Sequence, residues 1–242
     1  MSRQQVAVVI GAGDATGGAI ARRFAREGFT LCVTRRNADA LEPLRESIEG
    51  DGGTVQTFGC DARDEDAMTA LFDGIERDIG PIAVVVFNIG ANVRFPITET
   101  TGRVYRKVWE MAAFAGFLAG REAARVMLPR QQGTIIFTGA TASLRGSSGF
   151  SAFAGAKFAL RALAQSMARE LGPQGIHVAH SIIDGAIDTD FIRDNFPDRY
   201  ALKDQDGILN PAHIAEQYVQ LHRQPRDAWT HELDLRPWLE TF

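Results

Sequence analysis

Short, continuously apolar runs alternate with longer stretches of helical periodicity along the whole chain. Residues 6–10, VAVVI, carry no polar position, as a strand covered on both faces requires. Helix-forming residues follow over 19–27, and Gly28 is placed to end them. The pattern then predicts strands over 31–34, 54–60, 82–88, 134–138, 177–183 and 232–235. Helices are predicted over 38–48, 65–79, 101–127, 152–171 and 211–222. Glu65 and Asp66 open one of these helices, where acidic charge suits the dipole. Residues 190–210 are polar and read as the longest irregular segment, a length usually associated with function or mobility.

Strand–helix alternation of this kind specifies an α/β fold: a parallel sheet of about seven strands, flanked by helices and doubly wound through right-handed crossovers. No repeat, low-complexity tract or linker interrupts the sequence, so 1–242 is expected to form a single domain.

Composition narrows the function. Apolar residues make up 45% and charged residues 23%, ordinary proportions for a globular chain. A net charge of −4 argues against nucleic acid as a partner, because phosphate binding needs a basic face. No apolar run approaches the ~18 residues of a membrane span. A strand beginning at Val6 leaves no room for a leader peptide, so a cytoplasmic protein without membrane contact is expected. Cys32 and Cys60 fall in strand-like segments and read as buried thiols. No Cys/His cluster has metal-ligand spacing, so no metal is expected.

The first strand runs directly into Gly11-Ala12-Gly13-Asp14-Ala15-Thr16-Gly17-Gly18, and a helix follows. Glycine allows the sharp turn and the approach of backbone amides to a pyrophosphate, which the helix N-terminus then faces with unpaired N–H groups. In a strand–turn–helix unit this reads as a dinucleotide-binding turn. The chain here resembles the short-chain dehydrogenase/reductase family, whose turn has GxxxGxG spacing. Gly11 and Gly17 match the first and third glycines, and Ala15 stands at the second. The resemblance runs to about Phe191. It implies a Rossmann-like fold, a nicotinamide dinucleotide, and hydride transfer to or from a carbonyl-like small molecule. Asp14 and Thr16 share the turn and join the cofactor-binding candidates.

Sites that choose NAD usually end the second strand with a carboxylate on the ribose hydroxyls. This chain has Thr34-Arg35-Arg36 instead. Arginine can clamp a 2′-phosphate, so Arg35 favours NADP(H) over NAD(H), the alternative being two solvated arginines. By the resemblance, Asp61 and Ala62 contact adenine, unless Asp61 merely starts the next helix. Asn88 and Gly90 match the family's Asn-Asn-Ala-Gly segment. In the stretch from Asp184 to Thr189, Gly185 and Thr189 match PGxxxT, with Asp184 in place of proline. The Ile187 backbone and Thr189 hydroxyl would hold the nicotinamide carboxamide.

The family's proton donor is a tyrosine, tuned by a lysine four residues on and assisted by a serine and an asparagine. Spacing of i, i+4 puts the first two on one helix face. Here only Lys157 remains. Phe153 stands at the tyrosine position, Ala140 at the serine position and Ala112 at the asparagine position. Lys157 is nonetheless the catalytic candidate, with a second role on the nicotinamide ribose; the competing reading is a solvated helix lysine. Thr141, Ser143, Ser147, Ser148 and Ser151 are weak replacement acids. Tyr105 and Tyr200 are expected to be packing or surface residues, and His177 and His180 satisfied strand histidines. The outcome is either an oxidoreductase with a non-standard proton source or a non-catalytic NADP(H)-binding scaffold.

Residues 190–210 lie where the family has a substrate-covering loop. The alanine-rich 152–171 helix and the long 101–127 helix would pack in a homodimer or homotetramer, unless the alanines serve helix-on-sheet packing alone. Trp229, Trp238 and Phe242 belong to a 229–242 tail that packs on the domain or on a neighbouring subunit.

Overall fold

The computed structural model describes residues 5–241. Its strands are β1 Val6–Ile10, β2 Thr30–Arg35, β3 Thr54–Gly59, β4 Ile82–Phe87, β5 Gly133–Thr138, β6 Ile176–Ile183 and β7 Glu232–Leu235. They form one seven-stranded parallel sheet in the order β3-β2-β1-β4-β5-β6-β7. The connections carry α1 Thr16–Arg26, α2 Glu42–Gly50, α3 Glu65–Gly74, α4 Gly102–Trp109 and α5 Ala115–Met127, then α6 Ser151–Leu171, α7 Asp190–Asn195, α8 Pro197–Tyr200 and α9 Pro211–Arg223.

Alternation along each strand divides the core in two. Val6, Val8 and Ile10 face one side, where Met68 and Phe72 of α3, Leu118 of α5 and Leu160 of α6 pack. Ala7 and Val9 face the other, against Ile20 and Phe24 of α1, Leu44 of α2 and Ile214 and Tyr218 of α9. With both faces covered, the sheet needs the unbroken apolar strands seen in the sequence. After β3 the chain returns to pair β4 against β1, so the strand order reverses between β1 and β4. The crevice beyond the carboxyl ends of those two strands is where such sheets bind ligands.

The helical stretch expected over 101–127 is present as α4 and α5, continuous through a wide i→i+5 turn over Glu110–Phe114, and α3 likewise continues through a wide turn over Ile75–Ile79. Two expectations are corrected. Cys60 falls just beyond β3 and is half-buried. Residues 190–210 are not irregular: they hold α7, α8 and a tight turn over Ala201–Gln205. Local chemistry explains this ordering. The Thr189 side chain accepts a hydrogen bond from the Ile192 N–H at 3.1 Å and starts α7. Pro197 sits in the first turn of α8, where it costs no hydrogen bond.

Candidate active site

Packing alone determines two glycines of the β1–α1 turn. Gly11 has φ +87°, and a Cβ there would lie 2.9 Å from Ile89 Cγ1 and 3.1 Å from the Asn88 carbonyl. A Cβ on Gly17 would lie 2.5 Å from the Gly11 oxygen. Asn88 ties the two strands together, its Nδ2 donating to the Gly11 carbonyl at 3.2 Å. The turn brings its backbone and the N-terminus of α1 to the wall of a cavity of about 740 Å³. No acidic residue occupies the first turn of α1 itself, so its positive end is left for an anion.

The structure brings the sequence candidates together. Gly11, Asp14, Ala15, Thr16, Gly17, Asn88, Gly90, Lys157, Gly185, Ile187 and Thr189 line the cavity. Arg35, Asp61 and Ala62 line an adjoining cleft of about 150 Å³ that shares Gly11. Thr189 reaches the cavity while its oxygen caps α7, which leaves the hydroxyl proton free to donate.

Charge in the cleft is arranged unevenly. Arg63 grips the Asp61 carboxylate through Nε (2.9 Å) and Nη2 (2.5 Å), and holds that carboxyl below its ordinary range. Arg35 donates to the Ala40 carbonyl at 3.1 Å and lies 3.8 Å from Asp14. Arg36 is exposed, lines the same cleft, and has no ion pair among the described residues.

Lys157 is buried, at 3% exposure, on α6. Its Nζ donates to the carbonyls of Thr138 (2.8 Å) and Ile89 (3.3 Å). No carboxylate lies within ion-pair distance among the described residues. Burial pushes its pKa down from 10.5 to about 8, so the ammonium is retained at neutral pH. A buried cation on a cavity wall, with no carboxylate at ion-pair distance, is suited to an anionic or hydroxyl-rich ligand. This lysine, the open helix end and the glycine turn together fit a dinucleotide.

The positions around it are apolar. Phe153 packs with Ala142, Ala154, Ala140 and Phe150. Ala112 lies in the wide turn and packs with Val108, Ala152 and Ala156. The hydroxyl candidates are mostly committed or remote. Thr141 donates to Asp184 at 2.6 Å, and the Ser143 hydroxyl accepts from the Ala140 N–H at 3.1 Å. Ser147 lines the cavity, whereas Ser148 and Ser151 do not. Tyr105 packs against α6, where a Cβ on Gly155 would come within 2.6 Å of its hydroxyl. Tyr200 contacts Lys203. His177 bonds the Thr230 carbonyl at 2.8 Å and stacks on Trp229. His180 is pushed down to about 4 by burial and stays neutral beside Glu232.

Sequence reading missed the polar cluster on Asp184. Its carboxylate is completely buried and binds Thr141, Arg145 and Arg236. The signal was present, since Asp184 departs from the proline of the family motif, but nothing in the sequence indicates its partners. In the tail, Trp229 packs on the domain through His177, Trp238 donates to the Gln205 carbonyl at 2.9 Å, and Phe242 lies outside the described residues. Among the described residues no group of His, Cys, Asp or Glu is placed to hold a metal ion, and no helix is long and apolar enough to cross a membrane.

A doubly wound sheet with a glycine-lined crevice at its switch point defines a dinucleotide-binding α/β protein. The chain belongs to the short-chain dehydrogenase family, whose model, described as "short chain dehydrogenase", matches residues 5–199. It is similar to gluconate 5-dehydrogenase of Gluconobacter oxydans (strain 621H), 30% identical over 172 residues that cover 71% of this chain and 67% of that enzyme. A short-chain dehydrogenase from Rhodopseudomonas palustris superposes with a TM-score of 0.84 at 52% identity, covering 98% of this chain and 100% of that one. A metagenomic short-chain oxidoreductase in complex with NADP superposes at 0.83 with 25% identity, over 98% and 99% of the two chains.

Proposed function

We propose that this chain is an oxidoreductase that prefers NADP(H) and moves a hydride to or from a carbonyl-like carbon of a small molecule. The observation that carries the reading is the buried Lys157 ammonium, held by two backbone carbonyls and without a carboxylate at ion-pair distance among the described residues, on the wall that also holds the glycine turn. When bound, a nicotinamide supplies or accepts the hydride. The turn amides and α1 hold the pyrophosphate, Lys157 the neighbouring ribose hydroxyls, and the Ile187 backbone with Thr189 the carboxamide. Asp61 and Ala62 line the adenine cleft, and Arg35 with Arg36 supplies charge for a 2′-phosphate. Ala140 and Phe153 have no proton to give. The proton comes from water, from the substrate, or from the Ser147 hydroxyl on the cavity wall. The α7–α8 segment, with Phe191, Ile192 and Phe196 on the cavity, covers the substrate.

A second reading is a non-catalytic NADP(H)-binding scaffold, favoured by the apolar packing around Phe153 and Ala112. Calorimetry and thermal melting with NADPH and NADH test the shared premise: binding with NADPH the tighter is expected, and no heat with no shift in melting overturns both readings. Loss of NADPH absorbance with a panel of ketones, imines and enones then separates enzyme from scaffold. Exposed Tyr105 and Trp109 on α4, Phe117 on α5 and Phe158 on α6 support a homodimer or homotetramer through these helices. Two free cysteines support a reducing, cytoplasmic setting.

A further inference from the structure

We propose that Arg145 anchors a carboxylate on the substrate, so that the cavity takes an apolar oxo- or hydroxy-carboxylate. The proposal rests on reading this cavity as the nicotinamide site, but a separate set of contacts carries it.

Asp184 directly follows β6, with its side chain at 0% exposure. It accepts from Arg145 Nη1 at 3.2 Å and Nη2 at 3.3 Å, and from Thr141 at 2.6 Å, with Arg236 Nη2 at 3.2 Å. Arg145 therefore uses two of the five N–H donors of a guanidinium on Asp184. The remaining three have no acceptor among the described residues. The Arg145 side chain is 38% exposed and lines the cavity, whereas Asp184 lies behind it and does not. A free arginine loses much rotamer freedom on binding a ligand; here the fork on Asp184 has already fixed its direction. One carboxylate shared by two guanidinium groups also leaves positive charge on the cavity side, since only Arg236 has a second carboxylate, Asp234, beside it.

The surroundings define the rest of the ligand. Phe150, Phe153 and Phe196 line the same cavity and offer apolar walls. Arg94 lies over the Phe150 ring at 5.9 Å and has no ion pair among the described residues. The carboxylates on the cavity wall are Asp14, at the glycine turn, and Glu240, 3.6 Å from Arg199. A planar guanidinium fork matches a carboxylate in geometry as well as charge.

The test is calorimetry with the whole chain, first with NADP⁺ alone, then with NADP⁺-loaded and cofactor-free protein. The probes are pyruvate, 2-oxo-octanoate and 2-oxo-4-phenylbutanoate, each beside its primary amide. NADP⁺ prevents reduction of the oxo group. The expected result is at least ~10-fold tighter binding of the longer acids than of their amides, weakening with added salt. Arg145→Met should remove that preference and Arg145→Lys keep part of it, with melting temperatures verifying the fold. Equal binding of acid and amide, no saturable binding by any acid, or a preference that survives in Arg145→Met overturns the anchor. Should Arg145→Met not fold, the acid-to-amide ratio of the unaltered chain and its salt dependence decide. Failure of NADP⁺ itself to bind counts against the cofactor reading, and the cofactor-free titration still reports on Arg145.

Discussion

The Lys157 ammonium lies 5.9 Å from the centre of the Phe153 ring, one helical turn away on α6. The ring faces the cavity and carries no proton to give, while the ammonium beside it is desolvated. A phenol at this position would find the positive neighbour that favours its ionised form.

Phe153→Tyr therefore places a proton donor beside Lys157 in one step. With a generic ketone, NADPH consumption should rise by ~10²-fold or more, the usual contribution of a positioned acid. NADPH affinity, measured separately, should stay within a few-fold. An unchanged rate with intact binding would show that the chemistry does not pass through position 153.

Lys157 also leaves a mark on stability. Below pH 8 it is charged both in the fold and in the unfolded chain, and its burial opposes folding. Between pH 8 and 10.5 the unfolded chain holds a proton that the folded one has released, so its contribution becomes more favourable as pH rises. The stability of Lys157→Met relative to the parent should fall by up to about 3 kcal/mol between pH 7 and pH 10.5, because only the parent gains as its folded lysine loses its proton. Urea unfolding of both proteins across this range measures it. A relative stability that rises with pH contradicts the assignment.

The second strand offers two arginines that differ in their commitments. Arg35 is tied to the Ala40 carbonyl and close to Asp14, while Arg36 is exposed and without an ion pair among the described residues. Arg36→Ala should weaken NADPH binding by roughly 10- to 100-fold, the value of a charge-assisted contact, and leave NADH binding unchanged. Equal loss for both cofactors would place Arg36 on a group they share.

Cys60 lines the cleft that also holds Arg35, Arg36 and Asp61. It is half-buried on the cleft wall, with its thiol raised by burial and by Asp61 and Asp64. Cys32 is completely buried and pushed up to about 12. A maleimide should label Cys60 slowly and Cys32 only on unfolding, and NADPH should slow the Cys60 reaction further. Mass spectrometry of labelled peptides checks this; indifference of Cys60 to NADPH would mean the adenosine lies elsewhere.

Much of this architecture is legible in the chain itself, because a sheet buried on both faces demands unbroken apolar strands and a glycine turn demands glycine. Gly11 and Gly17 were findable for that reason: each has backbone or neighbouring atoms where a side chain would be. The ordering of 190–210 was not legible, since its helices are short, exposed and set by single residues such as Thr189 and Pro197. Nor was the Asp184 cluster. Arg145 and Arg236 lie 39 and 52 positions from Asp184 in sequence (184 − 145 and 236 − 184), and only the fold brings them to one carboxylate.

The wide turn over Glu110–Phe114 bears on how this chain should be compared with its relatives. One surplus residue in a helix rotates everything downstream by about 100°. An alignment against a regular helix that runs ungapped through 110–114 matches Ala115 and its successors to the wrong side. Allowing a single-residue gap there restores the faces, and the identity of the residue opposite Ala112 depends on where that gap is put.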